Sequence, residues 1–197
     1  MTQTPILKST SGDRSIVHSG LTWQQFKLIQ TGFAESRNIR LFYYNKTIEI
    51  LMPGSEHEFF KTIIGMLIEL FCLENNIEFK PLGSTTQEQE PEVSIEPDES
   101  YCFGESKPNP DLAIEVIFSS GNERKLQRYR VLGIPEIWFW EDGVLTLYHL
   151  RDSDYEQIVR SEILELATLD IELFSRCILI AQTSRLEAAN TFRNSFR

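Results

Sequence analysis

DLAIEVIFS, residues 111–119, is the stretch on which the fold turns. In an extended chain, side chains alternate between faces, so Leu112, Ile114, Val116 and Phe118 point one way. Asp111, Ala113, Glu115 and Ile117 point the other. Both faces are largely apolar, which suits a strand inside a sheet covered on both sides. A helix is expected from about Asn122 to Leu132, stopped by Gly133 and Pro135, followed by a short aromatic strand from Glu136 to Trp140. Strand, helix and strand in succession predict a βαβ crossover within a mixed sheet.

Working outward, Asp142-Gly143 turns the aromatic strand back into Val144 to Leu150, and residues 155–166 read as a further strand or strand pair. From about Glu172, Leu173, Cys177, Ile180 and Ala181 recur at helical spacing, and the helix is expected to fray near Asn194. Upstream, residues 1–20 are polar without periodicity and read as a flexible lead-in, with one domain over 21–197. Thr22 and Gln25 form a capping box for a helix that turns Trp23, Phe26 and Ile29 inward. Ile39–Tyr44 and Thr47–Met52 flank Asn45-Lys46 as a β-hairpin. Ser55 and Glu58 read as a second capping box. It opens a helix to about Asn75, with Phe60, Ile63, Ile64, Leu67 and Phe71 as its buried stripe. Residues 77–86 read as a strand, followed by the acidic run Glu88, Glu90, Glu92, Glu96, Asp98, Glu99, in which the glutamates before Glu96 read as a solvated loop.

Composition narrows the class. Apolar residues at 41% and charged residues at 24% of 197 suit a globular chain with a sizeable core. Neither a membrane span nor a signal peptide is apparent. Three separated cysteines, Cys72, Cys102 and Cys177, argue against a disulfide framework or zinc site and suit a reducing cytoplasm. A net charge of −10 opposes nucleic-acid binding through a general basic surface, so positive charge must be concentrated locally if it binds at all.

The chemistry centres on Glu115. A carboxylate inside a covered strand is costly unless it is paired or bound to a metal, although an edge strand with one wet face would also accept it. Two Pro-Asp pairs supply partners. Asp111 lies four residues away on the same strand, about 13 Å at ~3.3 Å per residue, too far for sharing one ion. Asp98 lies on a separate segment that a reversal at 104–110 can bring opposite Glu115. It is the better ligand candidate, and Asp111 the better turn residue. Arg124, Lys125, Arg128 and Arg130 form a dense basic cluster that either contacts phosphates or is a solvated helix face. Trp138 and Trp140 alternate with Ile137 and Phe139, so one of each pair is expected in the core rather than as a stacking platform for bases.

The ordered set EPDESYCFGES (96–106), PDLAIEVIFSS (110–120), KLQRY (125–129) and GIPEIWFW (133–140), with SEHE (55–58) and LGSTT (82–86), resembles the Uma-two family of endonuclease-type proteins. That family lies within the PD-(D/E)XK superfamily. The resemblance implies an α/β (mixed α+β), restriction endonuclease-like fold, a central mixed sheet flanked by helices. It also implies Mg²⁺- or Mn²⁺-dependent phosphodiester hydrolysis. Asp98 takes the Pro-Asp position and Glu115 the acidic position two residues before the motif lysine. Ile117 stands where that lysine is usual, and Lys125 on the following helix takes its part in this family. Glu58 is the candidate third acidic ligand, or simply the capping residue; His57 beside it reads equally well as a surface residue and is not counted as a ligand. The expected substrate is DNA and the expected assembly a homodimer, since two strands invite a two-fold cutter. The alternative is a binding or interaction module on the same fold without chemistry.

Overall fold

The computed structural model describes residues 12–36, 38–105, 107–118 and 122–196. In chain order the elements are β1 (Arg14–Ser19), α1 (Trp23–Gly32), β2 (Arg40–Tyr44), β3 (Thr47–Met52), α2 (Ser55–Glu74), β4 (Phe79–Pro81), β5 (Gln87–Gln89) and β6 (Val93–Ile95). They continue with β7 (Glu99–Phe103), β8 (Leu112–Ile117), α3 (Asn122–Leu132), β9 (Glu136–Glu141), β10 (Val144–Leu150), β11 (Tyr155–Ile158), α4 (Ile171–Ala181) and α5 (Arg185–Asn194).

The expected crossover is present: β8 and β9 pair in parallel through α3, inside a six-stranded sheet ordered β11-β10-β9-β8-β7-β4 whose other pairs are antiparallel. A second, antiparallel sheet, β1-β3-β2-β6-β5, was not foreseen. This mixed α+β architecture agrees with a restriction endonuclease-like fold. The alternation in 111–119 divides the core as its pattern requires. Leu112, Ile114, Val116, Trp138 and Trp140 pack with α2, α4 and α5. Ala113, Ile117, Ile137 and Phe139 pack with Phe42, Leu51, Val93 and Ile95 of the second sheet and with Tyr129 and Leu132 of α3. Trp138 and Trp140 on one face and Ile137 and Phe139 on the other are therefore all buried. Covering the second sheet's other face, α1 buries Trp23 and Phe26 against Leu41, Tyr43 and Ile48.

Local chemistry explains most boundaries. Thr22 caps α1 as expected: its hydroxyl accepts from Gln25 N (3.3 Å), and the Gln25 side chain accepts from Thr22 N (2.8 Å). The β2–β3 turn places Asn45 (φ 46°) and Lys46 (φ 58°) in the left-handed region, which matches strand twist in two-residue hairpins. Gly133 (φ 67°) ends α3.

Several expectations need correction. The lead-in does not extend to residue 20: Arg14–Ser19 forms β1, paired antiparallel with β3. All six residues are exposed at a sheet edge, which explains the missing apolar alternation. Residues 1–11 lie outside the described residues. Helix α2 has no capping box, because its N-cap is Gly54, making Ser55 the first helical residue. The strand expected over 77–86 is only Phe79–Pro81. The acidic run is not a loop, since β5 and β6 pair within it and its charges find partners: Glu88 with Lys27, Gln30 and Ser94, Glu90 with the Trp23 indole. Residues 155–166 give one strand and a 3-10 turn, Leu164–Leu166. The C-terminal helix is two helices, parted at Gln182–Ser184, where Ser184 caps α5 through Glu187 N (3.1 Å).

Candidate functional site

Strand pairing places Asp98 beside Glu115. In the β7–β8 register, Glu99 lies opposite Ile114 and Ser100 opposite Ala113, so Asp98 stands one step earlier, abreast of Glu115. Its N–H donates to Ile114 O (3.1 Å), and its Oδ2 accepts from Val116 N (2.6 Å). The reversal that achieves this contains Gly104 (φ 69°) and is held by Asp111, which accepts from Phe103 N (2.9 Å) and pairs with Lys107. Asp111 is thus a turn residue, away from the carboxylate pair.

Glu115 is 1% exposed, so its charge needs internal partners. Helix α3 provides both. Lys125 Nζ donates to Oε2 (2.7 Å), and the Tyr129 hydroxyl donates to Oε1 (2.5 Å). Lys125 and Tyr129 are four residues apart, hence on one helical face. Burial pushes the Glu115 carboxyl up, but the charge and hydrogen bond of Lys125 and the hydrogen bond of Tyr129 outweigh it. The result lies below the usual carboxylate range. Burial, then the Glu115 charge and hydrogen bond, raise the Tyr129 phenol well above its ordinary value. Tyr129 escaped the sequence reading, although its spacing from Lys125 was a usable signal.

Asp98, fully buried, meets one guanidinium and one imidazole. Arg40 of β2 pairs with its Oδ1 through Nη1 and with Glu58 through Nη2 (2.9 Å). His57 Nε2 lies 2.7 Å from the same Oδ1, while His57 Nδ1 lies 2.8 Å from Asp13 Oδ2. A neutral imidazole carries one N–H and can donate to only one of these carboxylates. His57 is fully buried rather than a surface residue, because it lies seven positions before Ile64, on the helical face that carries the buried stripe of α2. Asp13 also accepts from Gly54 N (2.9 Å), fixing the start of α2. Burial raises the Asp13 carboxyl, but hydrogen bonds from His57 and Gly54 bring it below its ordinary value. Neither Arg40 nor Asp13 carried a local sequence signal, since their partners lie tens of residues away.

Glu58 caps nothing. Its side chain is half exposed and pairs with Arg40, with Lys61 Nζ 3.7 Å away. Ile117 is buried among the apolar residues of the second cluster. No group of three or more His, Cys, Asp or Glu side chains among the described residues converges as a metal cluster.

The basic cluster divides. Arg124, Lys125 and Arg128 line a cleft of about 740 Å³ between α3 and the β1–β3 ribbon, with Ser15, Thr47 and Glu49. Arg128 is 6% exposed and donates to Glu49 (2.7 Å), while its Nε and Nη1 have no hydrogen-bond acceptor among the described residues. Arg130 stands outside that cleft and donates to Ser153 O (3.1 Å). A second cleft, of about 760 Å³, is lined by Arg40, Glu58, Lys61, Ser84, Glu88 and Glu96, among others.

A family model described as "Putative restriction endonuclease" matches residues 23–175, a span that includes both carboxylates, Arg40, His57, Lys125 and Tyr129. No curated protein matches the chain. No helix among the described residues is long and apolar enough to cross a membrane.

Proposed function

From the premise that the chain belongs to the Uma2 family of restriction-endonuclease type, we propose that it is a divalent-metal-dependent nuclease that hydrolyses phosphodiester bonds in DNA. The observation that carries this reading is the Asp98–Glu115 pair on neighbouring buried strands, with Lys125 on Glu115. Two carboxylates are hard oxygen donors, which suit Mg²⁺ or Mn²⁺ with the remaining positions filled by water and phosphate oxygens. The donor set therefore fits, with Asp98 and Glu115 as holders and Glu58 as a third acidic group at the rim. When bound, the cation would polarise the phosphate and lower the pKa of a bound water.

The chain's own groups do the rest. Tyr129 holds Glu115 by one oxygen and leaves the other to Lys125. The Lys125 ammonium lines the basic cleft, where a phosphate oxygen at about 4 Å would gain ~4 kcal/mol at an effective dielectric of 20. Arg124, at the same cleft, supplies the local positive charge that the overall −10 denies. Arg128 adds to it only if its bond to Glu49 gives way.

Supercoiled plasmid and a labelled single-stranded oligonucleotide, incubated with Mg²⁺ or Mn²⁺, test the proposal. Cleavage by the parent chain, lost in Glu115→Gln and Asp98→Asn, is expected. Full metal-dependent cutting by Asp98→Asn would refute the assignment. A second reading, a nucleic-acid-binding or interaction module without chemistry, is favoured by one observation: all four Asp98 and Glu115 oxygens already meet protein donors. It predicts binding with no cleavage and no metal dependence. Cutting both strands of a duplex further suggests a homodimer, which sedimentation with and without duplex would reveal.

A further inference from the structure

Two carboxylates assigned to cation binding, Asp98 and Glu58, are joined by one side chain. We infer that Arg40 is the internal counter-cation of this site, bridging Asp98 and Glu58 and giving up that place when a divalent cation binds. The inference rests on the metal-site reading above and adds to it a competitor built into the chain.

Arg40 is 7% exposed, and its two terminal nitrogens go to different acids, Nη1 to Asp98 Oδ1 and Nη2 to Glu58 Oε1. A planar guanidinium stays charged at any working pH, so it cannot be neutralised in place and must be displaced as a cation. The two Asp98 oxygens are not equivalent. Oδ2 is tied to the backbone N–H of Val116, part of the β8 strand, whereas Oδ1 meets only side chains, Arg40 and His57. Oδ1 is therefore the oxygen whose partners can change. Arg40 also has somewhere to go. It lines the 760 Å³ cleft together with Glu88 and Glu96, and its charge already acts on Glu96, whose carboxylate accepts from Leu41 N (3.3 Å) and Thr86 Oγ1 (3.4 Å). Lys125 is unlike Arg40 in this respect, since among the described residues its ammonium pairs with Glu115 and with no second acid.

Removing the competitor tightens cation binding. Calorimetric titration of the full chain with MnCl₂ alone, in the absence of nucleic acid, is expected to show Arg40→Gln binding at least about tenfold more tightly than the parent. Arg40→Lys keeps the charge but loses the fork, and is expected to fall between them. Melting curves give a readout independent of activity: Arg40→Gln melts below the parent without Mn²⁺ and gains more from saturating Mn²⁺ than the parent does. If Arg40→Gln does not fold even with Mn²⁺, Arg40→Lys decides. Mn²⁺ binding by the folded variant that equals or falls below the parent's overturns the role given to Arg40. Absence of binding in parent and variants alike overturns the metal-site reading itself.

Discussion

Replacing Tyr129 by Phe removes one oxygen and leaves the ring, so the effect isolates a single hydrogen bond to a buried carboxylate. The Tyr129 hydroxyl sits 2.5 Å from Glu115 Oε1, with both residues about 1% exposed and so out of reach of bulk solvent. Hydrogen bonds to charged groups contribute about 1.5–3 kcal/mol, and leaving the acceptor buried and unsatisfied puts the expected loss toward the upper end, about 2–3 kcal/mol. With a urea slope of about 2–3 kcal/mol/M for a chain of this size, the unfolding midpoint should fall by about 1 M. Trp23, Trp138 and Trp140 are all buried, so tryptophan fluorescence reports the transition. A double-mutant cycle sharpens the test. In a Glu115→Gln background the acceptor is neutral, and Tyr129→Phe should then cost only about 0.5–1.5 kcal/mol. A midpoint unchanged by Tyr129→Phe, or the same loss in both backgrounds, would refute the claim that Tyr129 acts through the Glu115 charge.

Other perturbations check other parts. Ile117→Lys, which restores the usual superfamily residue, buries an ammonium in an apolar cluster and should cost about 3 kcal/mol or more by chemical denaturation, without raising activity; parent-like stability would contradict the packing. Arg124→Ala should reduce the slope of log affinity against log salt for duplex DNA by about 0.9, whereas Arg130→Ala, outside the cleft, should leave it unchanged. Glu88 is pushed up by burial, but hydrogen bonds from Gln30, Lys27 and Ser94 hold it below its ordinary 4.5. Its stabilisation is therefore present above that value and lost as pH falls through its lower folded value. Glu88→Gln should accordingly destabilise at neutral pH and converge on the parent in acid; a difference independent of pH would count against that linkage.

The sequence yielded most where local chemistry decides. The alternation of 111–119 foretold both core faces, the Thr22–Gln25 box was found as written, and Asn45-Lys46 made the expected turn. Reasoning from strand rise favoured Asp98 over Asp111 as the neighbour of Glu115, and the β7–β8 register puts it there. What stayed hidden depends on contacts distant in sequence. Strand β1 carries no apolar pattern because it lies at an edge, and β5–β6 reads as a solvated loop because the partners of its glutamates, Lys27 and the Trp23 indole on α1, lie more than 60 residues away. Arg40 and Asp13 read as ordinary charged residues until the fold brings them to Asp98 and His57. Glu58 misled for a different reason: Ser-x-x-Glu imitates a capping box, but Gly54 takes the cap.

The family match begins at residue 23, and Asp13 lies ten positions before it. An expression clone started at the match boundary would lose β1, and with it the acceptor for both the His57 ring and the first turn of α2. Such a clone could still fold around its two main clusters, since neither draws on residues before 23. Its carboxylate pair would then sit beside an imidazole missing one of its two anchors, and an assay on that fragment would understate the whole chain.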